Sequence, residues 1–359
     1  MTRHHTSILT ALLLVCILPV SASAAWWNPI DWFRTDAKAD FSTPTSEEVA
    51  AAQLLLERAE ANWENHRTGA ALRDLRRIHL DYSNTPQAPD AYLLAGHIEF
   101  ERGRLTRAFR QYQRIISRYP GHDAFDTVLA RQWEIADLHM DGARSRLLWV
   151  LPGFRQPRTA MEQFEVILRN APHSAYAPQA LMNIGMLAQS LGDDEKAIDA
   201  LDRLISFYPR SPLTETAYFM LAQVVASLID GAEYDQGTTM QAMNYYQDFL
   251  VLFPNSEFVA EAEAGLSSTE EIFAHSKLLM GEFYYVYRSD DRAARLFYNE
   301  VISVVPDSKA ADFARKRLRA IEEDKRRPFL SRPPSLDRPY DRVDEFFEAQ
   351  WELRRQQEG

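Results

Sequence analysis

Cysteine is almost missing from this chain. The single one, Cys16, sits inside an apolar run near the start, so no disulfide can form within the chain and the redox state of its compartment goes untested. Positive charge is also in deficit. Lys and Arg number 40 against 51 Asp and Glu, for a formal net charge of −11. No basic stripe exists to release counterions from a phosphate backbone, so no nucleic acid partner is expected. Beyond residue 20 no stretch is apolar enough to span a bilayer, which takes about 20 residues.

Catalytic signatures are lacking too. There is no Gly-x-Ser-x-Gly, no phosphate loop, no dinucleotide-binding glycine motif, no His-Glu-x-x-His and no calcium loop. His66, His79, His97, His122, His139, His173 and His275 are scattered singly, without partners at ligand spacing. The pairs Asp193-Asp194 and Asp290-Asp291 read as turn residues that cap a following helix. The expectation is a protein that is not an enzyme and holds neither cofactor nor metal.

What is present begins with a targeting signal. Arg3, an apolar run over residues 8–20 and the small residues Ala22-Ser23-Ala24 read as a signal peptide over residues 1–24. Cys16 follows Val15 inside that run and is followed by more apolar residues, so it reads as filler and not as a lipidation site. Residues 25–45 are rich in aromatics: Trp26, Trp27, Trp32 and Phe33 fall within a few positions of one another. Such a segment either anchors the chain to a membrane interface or partner, or folds back onto the first helices.

The body of the chain repeats itself. Ala71, Ala108, Ala160, Ala197, Ala242 and Ala294 each start the same pattern. Four residues on stand Leu75, Tyr112, Phe164, Leu201, Tyr246 and Tyr298; seven on stand Ile78, Ile115, Ile167, Leu204, Phe249 and Val301. Eleven on stand Tyr82, Tyr119, Ala171, Tyr208, Phe253 and Val305, followed by proline in all copies but the first, where Ser83 takes its place. Those offsets trace one stripe of a helix, and proline stops each helix at the same phase. Upstream lies a second helix in each copy, with Gly96 and Gly185 allowing close packing. The pattern is that of the tetratricopeptide repeat, whose usual period is about 34 residues. The fold expected is therefore all-α: a right-handed superhelical solenoid of about six helix pairs over residues 46–325. Extra residues at 142–157 and 230–237 are expected as loops, and 257–287 as one long helix. Residues 326–341 form a proline-rich linker. Residues 342–359 form a short amphipathic helix bearing Phe346, Phe347 and Trp351, which docks either on the solenoid or on a partner.

Three stretches carry a closer likeness: Ala171-Pro-His-Ser-Ala-Tyr-Ala177, Glu233-Tyr-Asp-Gln-Gly-Thr-Thr-Met-Gln-Ala242, and Ala274-His-Ser-Lys-Leu-Leu-Met-Gly-Glu-Phe-Tyr-Tyr285 with the run to Pro306 after it. In these the chain resembles the BamD family, lipoproteins of the machinery that inserts β-barrels into the bacterial outer membrane. The family's lipidated cysteine has no counterpart here, the family has about five repeats, and Phe297 stands where members often carry arginine. The resemblance implies a periplasmic scaffold at the inner face of the outer membrane, a monomer within a hetero-complex. Its implied partners are a BamA-type channel and unfolded β-barrel substrates. A scaffold of cell-wall or cell-division machinery is the alternative within binding proteins, and an accessory of a secreted enzyme the reading from another class.

Groove-lining positions follow from the columns. The first copy places Leu56, Glu60 and Trp63 there, the second Leu93, His97 and Phe100, the fourth Met182, Met186 and Gln189. Apolar residues facing a groove suit a peptide with apolar anchors, unless neighbouring segments cover them.

Overall fold

The computed structural model describes residues 43–141, 156–229, 231 and 236–323, and all regular structure among them is helical. The targeting run, Trp26, Trp27, Trp32, Phe33, the proline-rich linker, Phe346, Phe347 and Trp351 lie outside the described residues. So do residues 142–155 of the third copy's extra segment, and 230 and 232–235 of the fifth's. The chain divides into two compact units, residues 1–91 and 92–359.

In the first unit, α1 (Ser46–Glu64) and α2 (Thr68–Asp81) pack as a hairpin. Thr45 starts α1 with a capping box: its hydroxyl accepts from the Glu48 amide at 3.2 Å, and its own amide donates to the Glu48 carboxylate at 2.8 Å. Two otherwise orphaned amides at the helix start are thereby satisfied. Ala52, Leu55, Leu56 and Ala59 of α1 and Ala71, Leu75 and Ile78 of α2 are the buried apolar positions. The Arg58 guanidinium grips Asp74 through two nitrogens, at 2.9 and 2.6 Å.

The second unit begins within α3 (Gln87–Glu101) and continues through α4 (Leu105–Arg118), α5 (Phe125–Asp141), α6 (Pro157–Asn170), α7 (Tyr176–Ser190) and α8 (Asp194–Phe207). It goes on with α9 (Thr214–Ser227), α10 (Gln236–Leu252), α11 (Val259–Glu282), α12 (Asp291–Val304) and α13 (Lys309–Glu322). From α4 onward each helix packs on the next, and α11 also touches α9 and α13. The repeat columns explain this order. Ala108, Ala160, Ala197, Ala242 and Ala294 are fully buried, and so are Tyr112, Phe164, Leu201 and Tyr298, with Tyr246 at 1 %. The helices α4, α6, α8, α10 and α12 each end one residue before the last column position, two before the proline. This is where a residue without an amide hydrogen must end a helix.

Capping follows the acidic pairs: Asp193 accepts from the Lys196 amide and Asp290 from the Ala293 amide. Four turns place a left-handed residue five positions before the repeat alanine. Gly103 and Gly192 adopt φ of 71° and 70°, while His66 and Ser289 are forced to 59° and 53°. Only glycine takes that conformation without steric cost.

Three details depart from the expected outline. Pro157 is the first residue of α6 and not loop, and Gln236 and Gly237 already belong to α10. The long helix expected over 257–287 gives way after Glu282 to a π-helical turn, Phe283–Arg288. A thirteenth helix, α13, stands beyond the sixth pair.

Candidate functional site

The outward positions of the first helices are the candidate binding face, and each unit carries its own part of it. In the first unit Leu56 is buried, at 7 % exposure, so it supports this face and does not form its surface. Glu60 is exposed and Trp63 half-buried. The fourth copy repeats that order: Met182 is buried, Met186 is half exposed at 50 %, and Gln189 is half-buried.

In the second unit Leu93, His97 and Phe100 lie along one side of α3, all half-buried. Leu93 and Phe100 rest on the core beneath. The Arg131 guanidinium of α5 lies 5.8 Å over the Phe100 ring, and its position is set by a 2.7 Å ion pair with Glu134 one turn on. The His97 ring meets Tyr112 edge-on, with centroids 5.9 Å apart. Burial lowers the pKa of His97, the Arg131 charge lowers it further, and Glu101 opposes both. His97 is thus held neutral at pH 7. The result is an apolar strip with one cation over it and no catalytic arrangement. Such a strip offers apolar and aromatic surface to aliphatic or aromatic groups.

The second unit also holds a buried polar cluster that sequence reasoning missed. Gln132 and Asn170 both donate to the Gln113 side-chain oxygen, at 2.8 and 2.7 Å, and Gln113 donates back to Asn170 at 3.1 Å. His139 pairs with Gln163 at 2.8 Å, and both are buried. Burial lowers the His139 pKa against the opposing Gln163 bond. Isolated Gln and Asn at core-facing offsets were the available signal, but a glutamine at such an offset does not reveal its partner.

Two further surfaces occur in the second unit. An open, mostly apolar pocket of about 560 Å³ lies between Ala175 and Pro178 on one side and Phe207, Pro209, Pro212 and Leu213 on the other. At the chain's far end, Glu282 receives a two-pronged bond from Arg317 of α13, both contacts 2.7 Å, and a third from the Tyr298 hydroxyl at 2.5 Å. Phe297 stacks on Tyr284, with centroids 5.4 Å apart. Among the described residues no group of His, Cys, Asp and Glu has the arrangement of a metal site. No described helix is long and apolar enough to cross a membrane.

These features define a tetratricopeptide-repeat protein, and residues 56–123 match the sequence model of that repeat. Residues 158–327 match a second family, YfiO, described as an outer membrane lipoprotein. All three stretches singled out for their BamD likeness fall inside that region. The chain is 25 % identical over 125 residues to the outer membrane protein assembly factor BamD of Caulobacter vibrioides, covering 35 % of this chain and 41 % of that one. It is 26 % identical over 171 residues to BamD of Rickettsia prowazekii, covering 47 % and 64 %. The aligned stretches thus span less than two thirds of those relatives. A solved tetratricopeptide-repeat structure from Parabacteroides merdae superposes loosely, at 13 % identity, 75 % and 98 % coverage and a TM-score of 0.28. The chain resembles the BamD family, and its C-terminal half carries that resemblance.

Proposed function

We propose that the protein is a non-enzymatic scaffold in the assembly and insertion of β-barrel proteins into the outer membrane. It works in the periplasm, at the inner face of that membrane, as a monomer within a hetero-complex. The observation that carries this reading is the match of residues 158–327 to an outer membrane lipoprotein family. The α3 strip of Leu93, His97 and Phe100, with Arg131 above it, binds apolar anchors of unfolded barrel substrate. The last helix pairs contact a BamA-type channel.

Two measurements test this. The tagged protein is captured from detergent-solubilised envelopes of its native cell and its partners are identified by mass spectrometry. The expected result is a large barrel protein with periplasmic repeat domains; recovery of cell-wall enzymes with no barrel would overturn the assignment. Separately, a urea-unfolded outer-membrane barrel protein is titrated onto the purified chain. Phe100→Ser is expected to weaken binding about tenfold, as for an anchor residue worth over about 1 kcal/mol. Unchanged binding by the folded variant removes the α3 strip from the proposal while leaving the first measurement to stand.

A further inference from the structure

The π-helical turn after α11 re-phases an aromatic run. Phe283, Tyr284 and Tyr285, consecutive within it, meet three different surroundings. Tyr285 is buried, with the Arg317 guanidinium 5.2 Å from its ring. Tyr284 stacks on Phe297 of α12. Phe283 faces outward and stacks with Tyr287, centroids 6.0 Å apart. The Lys277 ammonium lies 5.8 Å from the Phe297 ring and extends this ladder to Phe273, at 4.8 Å. Phe283, Tyr287 and Leu296 of the same region are 46, 66 and 60 % exposed. Arg288 and Arg292 are exposed close by in sequence. An exposed apolar patch of stacked rings is an interaction site by its chemistry.

We propose that the occupant is this chain's own C-terminal segment, residues 342–359, docking as an amphipathic helix with Phe346, Phe347 and Trp351 on the ladder. Two observations favour it. First, the described chain ends at α13, which packs on both α11 and α12. Residues 324–341 then supply about 55 Å of reach at about 3.1 Å per extended residue, against about 21 Å for the whole of α13 at 1.5 Å per residue. Second, Val343, Phe346, Phe347, Gln350, Trp351 and Arg354 fall on one helical stripe. A helix this short is marginal alone and needs a surface to form against. Tethering keeps the local concentration of the segment near the millimolar range, so a weak contact suffices to cover the ladder until a tighter partner displaces it.

The test is hydrogen exchange on the full chain, comparing the wild type with two variants. One is the triple variant Phe346→Ser, Phe347→Ser, Trp351→Ser. The other is Leu296→Glu, which sets a charge in the apolar patch at an exposed position. In the wild type both residues 283–297 and residues 343–354 are expected to be protected. The triple variant is expected to exchange at least tenfold faster over 283–297 with its melting temperature unchanged. Leu296→Glu is expected to release residues 343–354 by a similar factor. Equal exchange of both segments in all three proteins overturns the proposal. Protection that falls on dilution assigns the contact to a second copy and overturns docking within one chain.

Discussion

Tyr112 and Tyr298 occupy the same column of the repeat, and the structure treats them differently. Each is fully buried and seats its ring against a glycine of the preceding helix. A Cβ on Gly96 would stand 2.4 Å from the Tyr112 ring, and one on Gly281 would stand 2.6 Å from the Tyr298 ring. There the likeness ends. The Tyr112 hydroxyl is buried without a hydrogen-bond partner. The Tyr298 hydroxyl donates to Oε1 of Glu282, an oxygen that also accepts from Arg317 of α13. One copy uses tyrosine as a large ring. The other makes it part of a buried charge network that ties α13 to the repeat before it. Burial pushes both phenols up, Tyr298 further with the Glu282 bond and charge added, so neither ionises near neutrality.

The largest expected effect tests that network. Arg317→Met leaves the Glu282 carboxylate buried without its counter-charge, which costs about 3–5 kcal/mol. Urea unfolding followed by hydrogen exchange over α13 is expected to show α13 detached before the rest. A loss below about 1 kcal/mol would mean that the ion pair is dispensable and the comparison overdrawn. Next come the glycines. Gly96→Ala and Gly281→Ala are each expected to cost about 1–3 kcal/mol by overpacking. Adding Tyr112→Leu to Gly96→Ala is expected to recover part of it, because the fourth copy pairs Gly185 with Leu201 at a looser 3.0 Å.

A subtler pair of changes separates the two tyrosines directly. Tyr298→Phe is expected to cost about 1–3 kcal/mol by removing one of the two hydrogen bonds that Glu282 Oε1 accepts, while Tyr112→Phe, which removes an unmet hydroxyl, stays within about 0.5 kcal/mol or stabilises. Equal effects on thermal unfolding would dissolve the distinction. The pH dependence comes next. His97 and His139 have folded pKa values below the ordinary 6.5 because burial disfavours the imidazolium. The unfolded chain therefore binds more protons as pH falls through 6.5. Their contribution is complete above that pH and is lost as pH drops through the folded values, at most about 1.4 kcal/mol per unit for each. His139→Gln is expected to flatten the fall in melting temperature between pH 7 and 5. The smallest effect concerns the turns. Ser289→Gly relieves a left-handed backbone that Gly103 and Gly192 adopt freely, and is expected to stabilise by about 0.5–1 kcal/mol.

Much of this organisation was legible in the sequence. The alanine columns, the proline stops, the acidic caps and the close glycines Gly96 and Gly185 all stand where periodicity put them. The glycine beneath Tyr246 was not legible. It is Gly265, on the helix after Tyr246 and not on the one before, 2.4 Å from the ring by its missing Cβ. The candidate face was legible in outline. Leu93, His97 and Phe100 share a side of α3, but Arg131, thirty-odd positions away, joins them only because α5 packs on α4. The buried Leu56 shows the limit of column counting, since an offset sets a direction on the helix and not what lies in that direction.

The sequence by itself determined that this chain makes helices in pairs, where the second of each pair stops, and which stripe of that helix is buried. These are local consequences of a 3.6-residue period and of residues that lack an amide hydrogen or a side chain. Only the tertiary structure decided which neighbour fills each slot. It joined Glu282 to Tyr298 and Arg317, and Gln113 to Gln132 and Asn170, and it widened α11 into a π turn that sends Phe283 outward. Those choices depend on contacts between residues distant in the chain, where burial makes each polar group seek a partner, and no periodicity along the sequence records which partner it meets.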